Sequence, residues 1–469
     1  MGAGVQQVES AVEDLEGRYG DRLVVNPDID RRMVSFQANK REPIFRWFNF
    51  KEAFSAALVS YLTGKFRLPP SANVLDPFAG SGTTLFPAAE AGYTGVGIEI
   101  LPVAVTVILA RKAAMCVEVE RLVAAVDGVK KHGFDACAAV PDPFDEVPIT
   151  KAAFPAAAAQ ELLAYRTYVE SEVSDPLCKQ LLHFAALCVL ERISYTRKDG
   201  QYLRWDARAR AHGGSFRKEE VAPFEAALLG QIGRMCDDLF SLRGASLRAA
   251  QAERVQVFEG SCLGELPQFA EESMDAVITS PPYCNRYDYT RTYALELVYL
   301  GYGAEEIKAL RQNLLSCTVE NRPKDEYLES LYCAQPGILH RAREAFEQQE
   351  ALQAILEALD SKRQNGELNN PSVCRLVRNY FMEMSVVIHE LARVVRPGAP
   401  VVMVNDNVRY AGITIPVDLI LSDIASLAGL DPEVIWVLPG RKGNSSQQMA
   451  RHGRDALRKC VYVWRKQGG

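Results

Sequence analysis

A chain of 469 residues with 48% hydrophobic and 24% charged side chains has a globular composition, long enough for two or three domains or one elaborated one. The net charge of −6 confers no overall affinity for polyanions, so any nucleic-acid contact must come from cations gathered locally. Eleven cysteines scattered singly, with no CxxC pair, argue against a zinc cluster or a disulfide framework and for reduced thiols in a cytoplasm. The first twenty residues lack a basic start followed by an apolar core, and no apolar run approaches the roughly 18 residues of a membrane span.

In chain order, residues 1–40 read as an irregular or partly helical arm. Phe54, Leu58, Tyr61 and Leu62 recur at helical spacing within 48–66. Val74 and Leu75 then predict a strand, followed by a glycine-rich turn, a helix and a second strand from Val96 to Ile100, which together make a βαβ unit. From 101 to about 250 the pattern is mostly helical, interrupted by a Pro/Ala/Asp-rich stretch at 138–160. Strand signals return at "RVQVFEGS" and "DAVITS". Residues 301–370 are polar and helical, and a long helix at 377–398 leads into the strand "APVVMVND". The end of the chain predicts two strands joined by a basic loop, an antiparallel finish to a sheet. These signals divide the chain into an arm (1–40), a catalytic unit (41–115 with 250–300 and 370–469) and two helical inserts (116–249 and 301–369).

Two short stretches carry chemistry. In "DPFAGSGTT", Asp76 stands at the carboxyl end of a strand, where open α/β sheets bind ligands. Gly80 and Gly82 allow close backbone approach, Thr83 and Thr84 open the predicted helix, and Glu99 ends the next strand 23 positions after Asp76. An acid at that place accepts hydrogen bonds from ribose hydroxyls. No Gly-Lys-Ser/Thr follows and no GxGxxG is present, so neither a phosphate loop nor a dinucleotide fingerprint is expected. In "TSPPY", the apolar run Ala276-Val277-Ile278 ends in Thr279, Ser280, Pro281, Pro282 and Tyr283. Two prolines terminate a strand and hold the carbonyls and the ring around them in one pose.

Together these stretches resemble the S-adenosylmethionine-dependent amino-methyltransferases of DNA, and the serine form resembles their cytosine-N4 branch. The resemblance implies an α/β fold, a Rossmann-like class I methyltransferase sheet with an antiparallel last strand, plus helical insertions. It implies S-adenosylmethionine as cofactor and no metal. Asp76, Phe78, Ala79, Gly80 and Gly82 would bind its methionine end within the loop that Pro77, Thr83 and Thr84 complete. Glu99 would hold the ribose, Phe54 and Ser55 would close the pocket, and Ser261 stands where such enzymes often carry an acid against the adenine amino group. The partners implied are double-stranded DNA and a cognate restriction endonuclease.

The exocyclic amine of cytosine is a poor nucleophile because its lone pair is delocalised into the ring. Acceptors held around it favour a more tetrahedral nitrogen, and the Ser280 hydroxyl and Pro281 carbonyl suit that task, with Pro282 limiting their movement. Tyr283 offers a face for an extruded base. An amine target needs no covalent nucleophile, so Cys284 is read as a small packing residue. The rival readings are adenine N6 as target, an RNA or protein amide methyltransferase, and an inactive DNA-binding module.

Residues 192–218 hold eight Lys/Arg against two Asp, interleaved with Tyr195, Tyr202, Trp205 and Phe216. Arg197, Lys198, Arg204, Arg208 and Arg210, with Tyr202 and Trp205, are the expected DNA contacts. A second cluster at 440–466 holds eight Lys/Arg against one Asp, and Arg441, Lys442, Asn444, Ser445, Ser446 and Gln447 are expected to reach backbone or bases. The second insert, with eight basic and twelve acidic side chains over 301–370, is the weaker candidate for the groove. Tyr287, Asp288 and Tyr289 are expected to border the base pocket, and His389 to be a packed or surface residue.

Overall fold

The computed structural model describes residues 3–133, 142–199, 202–209, 211–214, 216–242, 244–439 and 456–468. Among them, the strands in chain order are β1 (Leu23–Val25), β2 (Asn73–Asp76), β3 (Thr94–Glu99), β4 (Thr196–Asp199), β5 (Tyr202–Trp205) and β6 (Val255–Glu259). They continue with β7 (Ala276–Thr279), β8 (Pro400–Asp406), β9 (Val408–Tyr410), β10 (Ile413–Ile415), β11 (Leu430–Val437) and β12 (Lys459–Lys466).

Eight of these form one sheet in the order β1-β11-β12-β8-β7-β2-β3-β6. β12 runs antiparallel to both of its neighbours, and every other pairing is parallel. This is the α/β, Rossmann-like sheet that the resemblance implied, with helical insertions and with the last strand of the chain, third from the sheet edge, antiparallel. β2, β7 and β8 are buried throughout or nearly so, as expected of parallel strands covered on both sides. From β2 the chain winds outward through β3 to β6, then returns to the other side of β2 as β7. The point where strand order reverses is therefore the gap between the carboxyl ends of β2 and β7, where a sheet of this kind opens a crevice. Asp76 and Thr279 are the last residues of those two strands.

Three elements depart from the expected pattern. The N-terminal arm forms the helix Ala3–Tyr19 and then β1, which extends the sheet beside β11. Apolar Leu15 and Tyr19 are buried, and Arg18 and Tyr19 both reach Asp423, at 2.6 and 2.8 Å. Within the first insert, β4 and β5 pair as an antiparallel hairpin in a stretch read as helical. Directly after β8, the chain makes a second hairpin, β9–β10. The helices of the first insert, Ala156–Glu172, Pro176–Ile193 and Phe224–Ser241, share one core with Pro102–Cys116 and with Trp47 and Phe48. Among the described residues no helix is long and apolar enough to cross a membrane, and no group of three or more His, Cys, Asp or Glu side chains is arranged to hold a metal.

Candidate active site

At the reversal point lies a pocket enclosing about 740 Å³ of empty volume, open solvent at its mouth included. Asp76, Pro77, Phe78, Ala79, Gly80 and Thr83 form one wall, and Glu99 and Ser261 another. Phe54 closes one side, and Ser280 and Pro282 enter from the end of β7. Residues distant in sequence thus converge because their strands are neighbours. Ser55, Gly82, Thr84, Pro281 and Tyr283 lie outside the immediate lining.

The loop after β2 is held from below by Asp76. Its fully buried carboxylate accepts from the hydroxyls of Thr279 (2.6 Å) and Thr84 (2.7 Å) and from the Phe78 N–H (3.1 Å). Burial pushes this carboxyl up to about 6 against the pull of those three donors. Asp76 thereby ties β2 to β7 and to the loop. Thr279→Val, which removes one donor, is expected to destabilise the protein by about 1.5–3 kcal/mol, the usual scale for a hydrogen bond to a charged group. Urea unfolding at pH 8 measures it.

Gly82 sits at φ +78°, and a Cβ there would stand 2.9 Å from the Phe86 ring and 3.0 Å from Ile108. No other residue fits without displacing core side chains. The helix begins at Leu85 with Thr84 at its N-cap, and the Thr84 hydroxyl turns back to Asp76 instead of capping the helix. Behind the loop, the fully buried Arg111 donates to the Ser81 carbonyl and stacks 4.4 Å over the Phe45 ring. Burial lowers its guanidinium to about 9. Nothing in the helical pattern of 101–116 marks this arginine as different from a surface one.

Glu99 accepts from the Gly80 N–H (2.6 Å) and the Leu101 N–H (2.7 Å). Burial is the main reason its carboxyl rises to about 7; the two N–H groups pull it down and the charge of Asp76 adds to the rise. A carboxylate accepts about four hydrogen bonds, so its remaining lone pairs are open to the pocket. A carboxylate with acceptor capacity to spare, between the apolar walls of Phe54, Phe78 and Ile100, fits a ligand that joins vicinal hydroxyls to a flat ring. Ser261 starts the short helix Cys262–Glu265 and makes no capping hydrogen bond there. Ser55, fully buried, instead donates to the Met33 carbonyl at 2.9 Å and anchors the arm.

At the second loop the Ser280 hydroxyl lies 3.1 Å from the Val404 carbonyl of β8, to which it donates. With its proton so directed, one lone pair faces the Tyr283 hydroxyl and the other is left to accept. Pro281 is buried, while Pro282 and Tyr283 are half-buried. The Tyr283 hydroxyl stands 3.3 Å from both Ser280 Oγ and Lys459 Nζ. The ammonium also sits 5.2 Å from the centre of the Tyr283 ring and 3.3 Å from Asp406. Burial raises the Tyr283 phenol and Lys459 opposes it. For Lys459, burial lowers the ammonium, but Tyr283 and Asp406 together raise it above the ordinary lysine value.

Sequence reasoning missed Lys459, Asp406 and Glu52. Glu52 lines the pocket and accepts from the hydroxyls of Tyr287 and Tyr293, the latter at 2.6 Å. Its signal was a lone acid in the apolar run "FNFKEAF". Tyr293 stacks on Phe50, another wall residue, with centroids 5.3 Å apart. Tyr289 lines the pocket, while Asp288 is buried and pairs with Arg311 at 3.0 Å. Cys284 is fully buried and its thiol is pushed well up by that burial, the state of a packing residue. His389 is buried too, with Nδ1 2.8 Å from the Ser385 carbonyl.

The basic residues of the first insert separate by strand alternation. Arg197 and Arg204 are cross-strand partners and exposed, with the Arg197 guanidinium 4.6 Å over Phe216. Lys198, between them in facing, points inward: it is buried, pairs with the buried Glu296 and lies 4.4 Å over the Tyr293 ring. Its charge is therefore committed inside the molecule. Arg208 clamps Asp206 at 2.7 and 2.8 Å, and this pairing first of all holds the Asp206 carboxyl well below the usual range. Trp205 stacks on His212 with centroids 3.5 Å apart, and Tyr202 belongs to β5. Arg210, Arg441, Lys442, Asn444, Ser445, Ser446 and Gln447 lie outside the described residues.

A family profile described as DNA methylase matches residues 34–110. The chain is 44% identical over 470 aligned positions to the Type II methyltransferase M.AvaI of Nostoc sp. (strain PCC 7120 / SAG 25.82 / UTEX 2576), covering 98% of this chain and 94% of that protein. The M.AvaI of Anabaena variabilis gives the same figures. Against the Type II methyltransferase M.BsoBI of Geobacillus stearothermophilus the identity is 38% over 473 positions, covering 96% of this chain and 91% of the relative.

Proposed function

The chain belongs to the type II DNA amino-methyltransferases, and from that membership we propose that it transfers a methyl group from S-adenosylmethionine to the N4 amine of a cytosine extruded from duplex DNA. The observation that carries the proposal is the placing of Ser280. Its hydroxyl is held by the Val404 carbonyl at 3.1 Å and the Tyr283 hydroxyl at 3.3 Å, and it borders the same pocket as Glu99. A serine here, where an acid or amide would favour the purine amine, supports cytosine as the target.

In this reading Glu99 holds the cofactor ribose and the Asp76–Thr84 loop holds the methionine end. When bound, the cofactor supplies an electrophilic methyl on a sulfonium. The protein supplies position: Ser280 Oγ and the Pro281 carbonyl accept from the target amine and turn its lone pair toward the methyl group. Tyr283 stacks on the extruded base, and Lys459 with Asp406 holds the phenol end of that ring. The exposed Arg197 and Arg204 of the β4–β5 hairpin contact phosphates, and a restriction endonuclease of matching specificity is the expected partner of the modification.

Incubation of the purified protein with methyl-labelled S-adenosylmethionine and bacterial duplex DNA tests the activity. Label is expected in the DNA. DNA binding without cofactor binding would leave a non-catalytic module, and label found only in RNA or protein would overturn the substrate class.

A further inference from the structure

Three residues beyond Tyr283 the backbone adopts a conformation its side chain disfavours. Arg286 has φ +66°, in the left-handed region where a long L side chain crowds its own carbonyl and glycine is the usual occupant. Such a residue persists only where its neighbours are held firmly. Upstream, the carbonyl of the fully buried Cys284 accepts from the Tyr410 hydroxyl at 2.7 Å, and the Asn285 N–H donates to the Tyr283 carbonyl at 2.7 Å. Downstream, the Tyr287 carbonyl lies 3.2 Å from Cys317 Sγ, and the Tyr287 hydroxyl donates to Glu52. Asp288 follows, paired with Arg311. Both flanks are pinned by separate elements, and the β9–β10 hairpin supplies one of the pins through Tyr410.

Among the described residues the side chain so presented has no counter-charge. Arg286 is half-buried, and its guanidinium lies 5.8 Å over the Tyr410 ring. Its Nε is buried without a hydrogen-bond partner, and it makes no ion pair among the described residues. An arginine whose fork is unmatched calls for an acceptor from outside the chain. A base that swings out of the helix turns about its own backbone, which brings its flanking phosphates close to the loop receiving the base. A guanidinium on that loop matches a phosphate with two parallel hydrogen bonds.

We propose that Arg286 binds a backbone phosphate flanking the extruded nucleotide, so that the left-handed turn after the Ser280–Tyr283 loop is a phosphate anchor. This rests on the DNA methyltransferase reading above. The anchor acts on the strand being modified, where the exposed Arg197 and Arg204 act on the duplex around it.

Arg286→Gly tests the proposal without a folding penalty, because glycine takes φ +66° freely. Duplex-DNA affinity is measured over a salt series, beside a cofactor titration and methyl-transfer kinetics. The expected result is a salt slope smaller by about one and a KM for DNA raised about tenfold, with cofactor affinity unchanged. Arg286→Lys is expected to restore the slope and only part of the KM, since lysine keeps the charge and loses the fork. A glycine variant with the parent slope and KM would overturn the proposal, as would an equal loss of cofactor affinity, which marks a purely structural role. Failure of the unaltered protein to methylate duplex DNA would instead overturn the reading beneath it, so the two failures are distinct.

Discussion

Tyr283→Ala is expected to lower turnover on duplex DNA by about 10- to 100-fold while affinity for S-adenosylmethionine stays within about twofold. Stacking of a base on an aromatic side chain is worth about 1–3 kcal/mol by alanine substitution, and that sets the range. The cofactor should be spared because Tyr283 stands outside the lining of the pocket that holds Glu99 and the glycine-rich loop. Tyr283→Phe is a sharper control. It keeps the ring and loses only two long contacts, to Ser280 and Lys459, each at 3.3 Å. A change of a few fold is expected for phenylalanine. Steady-state kinetics with an equilibrium cofactor titration separate the effects, and a loss of cofactor affinity in the alanine variant would contradict the assignment.

Glu99→Ala is expected to weaken S-adenosylmethionine binding by about 100-fold or more and to leave DNA affinity largely intact. Two hydroxyls donating to one carboxylate contribute about 1.5–3 kcal/mol each. The carboxyl also gives the binding a pH dependence. Without cofactor it stands near 7, raised chiefly by burial. Hydroxyls bind best to its charged form, so affinity should be full above pH 7 and fall as pH drops through that value, by at most tenfold per unit. Glu99→Gln should flatten the profile. For folding the sign is reversed: a carboxyl held above its ordinary value of 4.5 stabilises the protonated protein, and that contribution is lost as pH rises through 7. Calorimetric titration between pH 5.5 and 8.5 measures the binding arm.

What could be read from the sequence was local in it. The loop after β2 and the loop after β7 are each a contiguous string whose glycines, acid and prolines state their own geometry, and the strands that carry them are short runs with apolar centres. What could not be read depends on contacts between distant positions. Val404, which orients the Ser280 hydroxyl, is an ordinary apolar residue of β8 and acts through its carbonyl, which the sequence does not distinguish. Lys459 lies 176 positions from Tyr283 and stood within a basic run that composition alone assigns to solvent or phosphate. Lys198 looked like its exposed neighbour Arg197. Only the pairing of β4 with β5 sets their facing, and that hairpin is too short for its alternation to stand out against helical surroundings. β1 was hidden for a similar reason: three residues gain their strand character from the edge of β11 rather than from their own pattern.

The central claim, that Ser280 and its loop methylate the cytosine amine, is tested most directly by mass spectrometry of nucleosides from a methylation-deficient bacterial host expressing this chain, beside a Ser280→Ala, Tyr283→Ala double variant. N4-methylcytosine with the intact chain, and its absence with the variant, is the predicted result. N6-methyladenine in its place would contradict the choice of base, and an undiminished N4-methylcytosine signal from the variant would contradict the assignment of the loop.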